Sequence, residues 1–281
     1  MTAHDSSSFR TSLVIATYNW RQALAAVLAT VRVQDELPDE VVIADDGSRA
    51  DTAELIAREA SSFPVPLTHV WHEDAGFRLG QIRNRAMASA RGDYLIQLDG
   101  DLLLHRAFVR SHKRFAVRGT YVQGSRAMLD AVGTARSLAT GRVKGGPFAR
   151  GVRNRANALY FPFLSRFVGG PSDALQRTRG ANMAFWRDDI IRVNGYDEEI
   201  AGWGREDSEL AARLLNAGVQ RRNLKFAAIA WHLHHGTRSQ DTVARNHAIF
   251  ERTVRERRVR CEAGISRYLG GRSVEPLESR A

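Results

Sequence analysis

The chain of 281 residues carries 41 Lys and Arg against 31 Asp and Glu, a formal net charge of +10, and 43% of it is hydrophobic. That apolar content supports a packed core and excludes disorder throughout, while the length suits one large α/β domain or two small ones. The positive balance favours phosphate-bearing partners, whether nucleic acid, lipid headgroups or a nucleotide. A single cysteine, Cys261, excludes an internal disulfide framework, fits a reducing cytoplasm, and reads as an inert thiol in a C-terminal helix.

The polar start "MTAHDSSSFR" has no apolar run of a secretory signal, so residues 1–11 are expected as a flexible tail. No later stretch approaches the ~20 apolar residues of a membrane-spanning helix, and the expectation is a soluble or peripheral cytoplasmic protein. "SLVIA" (12–16) reads as a buried strand, and "RQALAAVLATVRVQ" places Leu24, Val27, Leu28 and Val31 at helical spacing. "EVVIADDGS" (40–48) is a second strand ending in acids, which completes a βαβ unit. The alternation continues through a helix at "DTAELIAREA", a strand at "PLTHVWH", a helix at "QIRNRAMASA" and a strand at "DYLIQL". Tyr18 with Asn19, Asp45 with Asp46, and Asp99 with Asp101 therefore all fall just past the carboxyl end of a strand, where open α/β sheets bind ligands.

Residues 126–180 are rich in glycine and basic residues and weak in periodicity, and are expected as a long basic loop region. Order returns at the strand candidate "ANMAFW" (181–186). A helix follows at "EDSELAARLLNAG" (206–218), with Leu210, Leu214 and Leu215 inward and Gly218 closing it. A strand "FAAIAWH" (226–232) and a helix around 241–260 complete the fold, and residues 263–281 are expected as a tail. The chain thus divides into a first half at 12–125, the basic loop at 126–180, and a second half at 181–262.

Two carboxylates one residue apart at a strand end, Asp99 and Asp101, suit Mg²⁺ or Mn²⁺. The bland alternative has them capping a helix that starts near Leu103. Tyr18 and a fixed carboxylate such as Asp46 suit a nucleobase. The absence of G-x-G-x-x-G after the first strand, and of a P-loop, argues against dinucleotide oxidoreductases and P-loop enzymes. In "GFRLGQIRNRA", Arg78, Arg83 and Arg85 are candidates for phosphate, with Arg85 read as a solvated helix face. In "GWGREDSEL", Glu206 and Asp207 open a helix whose macrodipole favours ionised carboxylates, which makes them candidates for a general base; the bland alternative is that both only stabilise the helix start. Trp203 offers a flat surface for a sugar ring, flanked by Gly202 and Gly204. In "WHLHHG", strand alternation puts His232 and His234 on one face and His235 on the other, and an imidazole there completes a metal site with Asp101.

In "VIATYNW", "VVIADDGSRADT" and the run from Arg83 through "GDYLIQLDGD", the chain resembles family 2 inverting glycosyltransferases of the GT-A fold over about residues 12–110. From about 180 to 236, "RGANMAFWRDDIIRVNGYDEEIAGWGREDSELAARLLNAG" and "WHLHHG" resemble the acceptor and metal module of galactosyltransferases. The resemblance implies a single α/β Rossmann-like domain with a mixed, mainly parallel sheet flanked by helices. It also implies a metal-dependent inverting transfer of a hexose or N-acetylhexosamine from a UDP-sugar to a glycan hydroxyl, in surface polysaccharide or lipopolysaccharide assembly. Residue by residue, it puts Tyr18 and Asp46 at the nucleobase and Ala16, Asn19, Arg83 and Asp99 beside the nucleotide. Asp101 and His232 become ligands of Mn²⁺ or Mg²⁺, with His234, His235 and Arg78 as further candidates. Asp207 is the catalytic base and Glu206 orients the acceptor, alongside Trp203, Gly204 and Asn182. Arg205 stands where such enzymes commonly have glycine, and Leu102 where many have another acid.

A non-enzymatic basic binder is the competing class. Nucleic acid is disfavoured because zinc-finger spacing and RRM-type aromatic motifs are missing. Basic residues and Phe148, Tyr160, Phe161 and Phe163 interleave in 142–166, a mixture that suits an anionic membrane surface or a lipid-linked glycan acceptor.

Overall fold

The computed structural model describes residues 9–143, 146–176, 178–236 and 241–270. Strand β1 (Thr11–Thr17), helix α1 (Arg21–Arg32), β2 (Glu40–Asp45), α2 (Ala50–Ala60), β3 (Leu67–Trp71), α3 (Leu79–Ser89) and β4 (Tyr94–Asp99) follow the anticipated alternation. Then come β5 (Leu102–Leu104), α4 (Phe108–Phe115), β6 (Thr120–Gly124), β7 (Ala127–Leu129), α5 (Ala131–Thr140), β8 (Val152–Arg153), α6 (Ser165–Val168) and β9 (Pro171–Ser172). The last part holds β10 (Asn182–Trp186), α7 (Arg187–Arg192), α8 (Glu206–Asn216), β11 (Gln220–Leu224), β12 (Ala230–His232) and α9 (Val243–Arg255).

The large sheet has the order β3-β2-β1-β4-β10-β6-β11-β9. Its first four strands run parallel, β10 is antiparallel to both neighbours, and β11 is parallel to β6. The architecture is the mixed, mainly parallel α/β sheet flanked by helices that the sequence indicates. β1 is buried along its whole length because helices cover both faces. Leu13 and Ile15 join the apolar cluster on one face, Val14 and Ala16 the cluster on the other.

The chain leaves β1 for β2 on one side and returns to β4 on the other, so the β1/β4 gap is a topological switch point, the usual ligand crevice of such sheets. The turn after β4 is pressed against β1 there: the Gly100 amide donates to the Ala16 carbonyl at 2.7 Å. A Cβ on residue 100 would stand 2.6 Å from that oxygen, so the residue between the two acids must be glycine.

The two acids do not cap a helix near Leu103, because Leu102–Leu104 is a strand. It opens a second, four-stranded sheet of order β5-β12-β7-β8, in which Leu102 pairs with His232. β12 is shorter than the expected 226–232 because Phe226 and Ala228 take φ of +60° and +45°, which breaks the extended backbone.

The terminal boundaries also move. Residues 1–8 lie outside the described residues, but Thr11 is already in β1, and Phe9 packs edge to face on Tyr94 and Trp186. The stretch expected as a loop at 126–180 contains β7, α5, β8, α6 and β9. Cys261 lies beyond α9 rather than in a helix. Its thiol is buried and pushed up to about 12 by that burial, which agrees with inertness. From the expected tail, Ile265–Tyr268 forms a 3-10 turn that buries Ile265, and residues 271–281 lie outside the described residues.

Candidate active site

The carboxyl ends of β1 and β4, the amino end of α8 and the end of β12 surround one cleft of about 870 Å³. Ala16, Tyr18, Asp46, Arg83, Asp99, Asp101, Trp203, Gly204, Glu206, Asp207, His232 and His235 all line it. Acids more than a hundred residues apart in sequence, Asp101 and Asp207, thus share one cavity.

Arg83 joins two of these acids. It is almost fully buried and donates from Nη2 to Asp99 Oδ1 at 2.7 Å and from Nη1 to Asp207 Oδ1 at 3.0 Å. Burial opposes its charge, but Tyr196, Asp207 and Asp99 around it hold the guanidinium firmly protonated. Burial raises the Asp99 carboxyl above its ordinary value, with Arg83 opposing, although 30% of the side chain stays open to the cleft.

Asp207 is held from three directions. Besides Arg83, the Gly180 amide donates to Oδ2 at 2.7 Å, and the Tyr196 hydroxyl lies 3.1 Å from Oδ1. Gln97 backs this cradle: its Oε1 is 2.8 Å from the Tyr196 hydroxyl, and its amide donates to the Gly180 carbonyl at 2.7 Å. A Cβ on Gly180 would fall 1.8 Å from Asp207 Oδ1, so the acid sits in space only glycine leaves free. Tyr196, Gln97 and Gly180 were not singled out in the sequence; the glycine opening "GANMAF" is the one signal that marks the place.

Glu206, beside Asp207, is 9% exposed and accepts from the Gly204 amide at 3.0 Å. Burial, then the Asp207 charge, pushes its carboxyl up to about 7. Desolvation therefore overrides the helix macrodipole that sequence reasoning relied on to keep this acid ionised. Arg205 precedes α8 with φ of +74°, a left-handed conformation that explains why glycine suits the position. Its guanidinium lies over the Phe250 ring at 5.1 Å. Trp203 stays 42% exposed on the cleft wall.

The small sheet assembles a third cluster. Pairing of Leu102 with His232, and the Leu233 amide on the Asp101 carbonyl at 2.9 Å, bring the β12 end to the acid. His232 Nε2 and His235 Nε2 lie 3.5 and 3.2 Å from Asp101 Oδ2. One ligand atom from each of the three lies within 4.8 Å of the others. Asp101 Oδ1 and His232 Nδ1 are buried with no hydrogen-bond partner, so the cluster has unused ligand capacity. Burial opposes ionisation of Asp101, yet the His235 hydrogen bond and the His232 charge hold its carboxyl below the ordinary value. Burial lowers His232 toward the neutral imidazole a metal needs. An oxygen and two imidazole nitrogens fit a divalent cation, the imidazoles favouring a transition metal over an all-oxygen ion.

The alternation argument paired the wrong histidines. The strand ends at His232 and the chain turns, so His235 reaches Asp101, while His234 faces outward with its amide on Thr134 Oγ1 at 2.7 Å. Three other candidates are not on the cleft lining. Asn19, at φ +47°, brackets two loops: its amide donates to Ser48 Oγ and its Oδ1 accepts from the Arg49 amide. Asn182 is buried in a network with His112 Nε2 at 2.9 Å and the Ser125 carbonyl at 3.1 Å. Arg78 turns its side chain to the Glu73 carbonyl, and only its backbone amide serves the site, donating to Asp46 Oδ2 at 3.1 Å. The other oxygen of Asp46 lies 2.7 Å from His72 Nε2, while burial raises that carboxyl. Asp45 is sealed off the cleft by His69 and the Ser48 amide. Arg85 is half-buried over Tyr268 rather than on a solvated face. Trp20 and Arg126 also line the cleft, and Trp20 meets the His235 ring edge to face at 5.9 Å.

A sheet with a switch-point cleft, paired acids at its mouth and an acid cradled on a helix start make a ligand cleft with a candidate metal cluster beside a candidate base. The chain belongs to glycosyl transferase family 2, which it matches over residues 12–169, and residues 170–236 match the N-terminal domain of galactosyltransferase. It is 27% identical over 240 residues to the chondroitin synthase of Escherichia coli, covering 79% of this chain and 34% of that protein. It is 30% identical over 223 residues to the validoxylamine A glucosyltransferase of Streptomyces hygroscopicus subsp. limoneus, covering 74% of this chain and 48% of that one. The chain thus spans a third to a half of these curated relatives. The S. aureus TarS fragment 1–349, solved with UDP, superposes with a TM-score of 0.60 at 15% identity, covering 92% of this chain and 68% of that one. This last likeness is one of fold.

Proposed function

We propose that the chain is a metal-dependent inverting glycosyltransferase that moves a hexose or N-acetylhexosamine from a UDP-sugar to a hydroxyl of a glycan acceptor. The observation that carries the reading is the single cleft holding the Asp101–His232–His235 cluster and the cradled Asp207 together. Family membership supports the reaction type, and neighbours of the same fold solved with UDP and with GDP-Man support a nucleotide-sugar donor. Surface polysaccharide or lipopolysaccharide assembly is the setting this acceptor class suggests.

In this reading Tyr18 and Asp46 receive the base at the β1/β2 end of the cleft. Asp101, His232 and His235 would hold a divalent ion, which when bound would supply positive charge against the diphosphate leaving group. Asp207 takes the proton of the acceptor hydroxyl as that oxygen attacks the anomeric carbon, which inverts the centre. Its two oxygens offer about four lone-pair directions, three of which face Arg83, Tyr196 and Gly180, so one remains for the hydroxyl. Trp203 gives the acceptor ring a flat wall, and Glu206 hydrogen-bonds its hydroxyls.

The test is hydrolysis and transfer across a nucleotide-sugar panel with Mn²⁺ or Mg²⁺, with UDP affinity measured in parallel. Metal-dependent UDP binding and turnover of at least one UDP-sugar are expected. Asp207→Asn should lower turnover by ~10²–10⁴-fold with UDP affinity nearly unchanged. No turnover of any donor together with metal-independent UDP binding overturns the reading.

A further inference from the structure

The apolar surface is distributed unevenly. Four phenylalanines stand largely in solvent among the described residues, and all lie between 148 and 167: Phe148 is 83% exposed, Phe161 53%, Phe163 67% and Phe167 72%. Leu164 and Val168 are exposed in the same stretch. Phe163 and Phe167 meet edge to face at 5.3 Å, so they present one continuous apolar surface.

These rings are not exposed for want of an anchored backbone. Tyr160 stacks on His105 at 4.5 Å, the Phe161 amide donates to the Phe226 carbonyl at 2.8 Å, and Asn157 donates to the Arg126 carbonyl at 2.9 Å. A segment tied down at three points still turns its largest apolar side chains outward, at a cost a monomer in water does not recover.

Charge selects the partner. Between Asp130 and Asp173 the sequence has no Asp or Glu and seven Lys or Arg. Of these, Arg136, Arg142, Arg150, Arg153 and Arg155 are exposed. Protruding aromatics in an acid-free basic field match a bilayer surface, where rings enter the headgroup boundary and cations meet anionic lipid. We propose that residues 146–168 dock the protein on a bilayer surface carrying anionic headgroups. The same segment supplies Asn154 to the cleft lining, so docking sets the cleft beside the membrane. This proposal goes beyond the transferase reading and is tested without any sugar nucleotide.

The experiment is co-sedimentation with phosphatidylcholine vesicles made with and without phosphatidylglycerol, alongside sedimentation velocity of the protein alone. Wild type should pellet with the anionic vesicles, weakly with neutral ones, and be released by salt. Phe163→Ser/Phe167→Ser and, separately, Arg150→Ser/Arg153→Ser should each weaken binding by about tenfold or more. Both should keep the wild-type melting temperature and metal-dependent UDP affinity. Absence of pelleting, equal binding by wild type and variants, or equal binding to neutral vesicles overturns the proposal. So does self-association of wild type that the phenylalanine variant abolishes, which assigns the face to a second copy. Displacement from vesicles by single-stranded nucleic acid at lower concentration than by soluble phosphatidylglycerol overturns it as well.

Discussion

Asp207 and Glu206 are neighbours at one helix start, yet their surroundings separate them. Asp207 faces an obligate cation and a backbone amide, whereas Glu206 is desolvated by burial and meets its neighbour's charge, with Arg83 and the Gly204 amide only partly opposing. Glu206 is pushed up to about 7 from an ordinary 4.5, so between those values the folded protein keeps a proton that the unfolded chain has released. Stability contributed by this proton is full below the unfolded value and is lost as pH rises through the folded one. At 1.36 kcal/mol per unit the loss is on the order of 3 kcal/mol. Asp197, pushed up to about 6 by burial, adds a slope of the same sign. Glu206→Gln removes only the first contribution. Urea unfolding of wild type and variant between about pH 4 and about pH 8 should therefore show the variant gaining relative stability as pH rises. Parallel curves would mean that the Glu206 carboxyl titrates alike in the folded and unfolded chain.

At the scale of elements, β1, β2, β4 and β10 were legible as short apolar runs and α1 by its helical period, but β6, β9 and β11 of the same sheet were not, β11 reading QRRNL and β9 having two residues. Nor was the small sheet. β5 and β12 have three residues each, too few for a pattern, and positive φ at Phe226 and Ala228 cuts the expected strand short. Which histidine reaches Asp101 depends on the turn after His232, not on strand alternation, so His234 and His235 exchange places relative to that reading. Asn19 and Asn182 show a related limit: their side chains bracket backbone and a buried histidine, a use that residue type does not distinguish from ligand binding. The histidine assignment has a direct consequence. His235→Ala should weaken Mn²⁺ binding by at least ~10–100-fold, the range that loss of a residue merely supporting a ligand already costs, and His234→Ala should leave it within about twofold. Calorimetric titration of Mn²⁺ into each variant in the presence of UDP reads this out, and the reverse ranking would return the site to the alternation model.

Across the whole molecule, the cleft depends on an element that composition marked as a tail. Ile265 is 1% exposed within the core cluster that also holds Ile82, Ala86 and Tyr196. Its amide donates to the Asn194 carbonyl, and the Asn194 side chain accepts from the Ser266 amide and donates to the Cys261 carbonyl. Glu198 ties the same region to α3, accepting from Asn84 at 3.0 Å and from the Tyr268 hydroxyl at 3.1 Å. Helix α3 carries Arg83, the strut between Asp99 and Asp207, so the turn at Ile265–Tyr268 braces the site from behind. Ile265→Ala leaves a cavity where no solvent enters and should cost about 2–5 kcal/mol. For a chain of this size that corresponds to a fall in melting temperature of about 5–10 °C. The loss belongs to the folded core rather than to a local fray, so the calorimetric transition should move as one peak, and protection of α3 amides from hydrogen exchange should fall with it. A melting temperature within about 1 °C of wild type would show instead that the turn rests on a core complete without it.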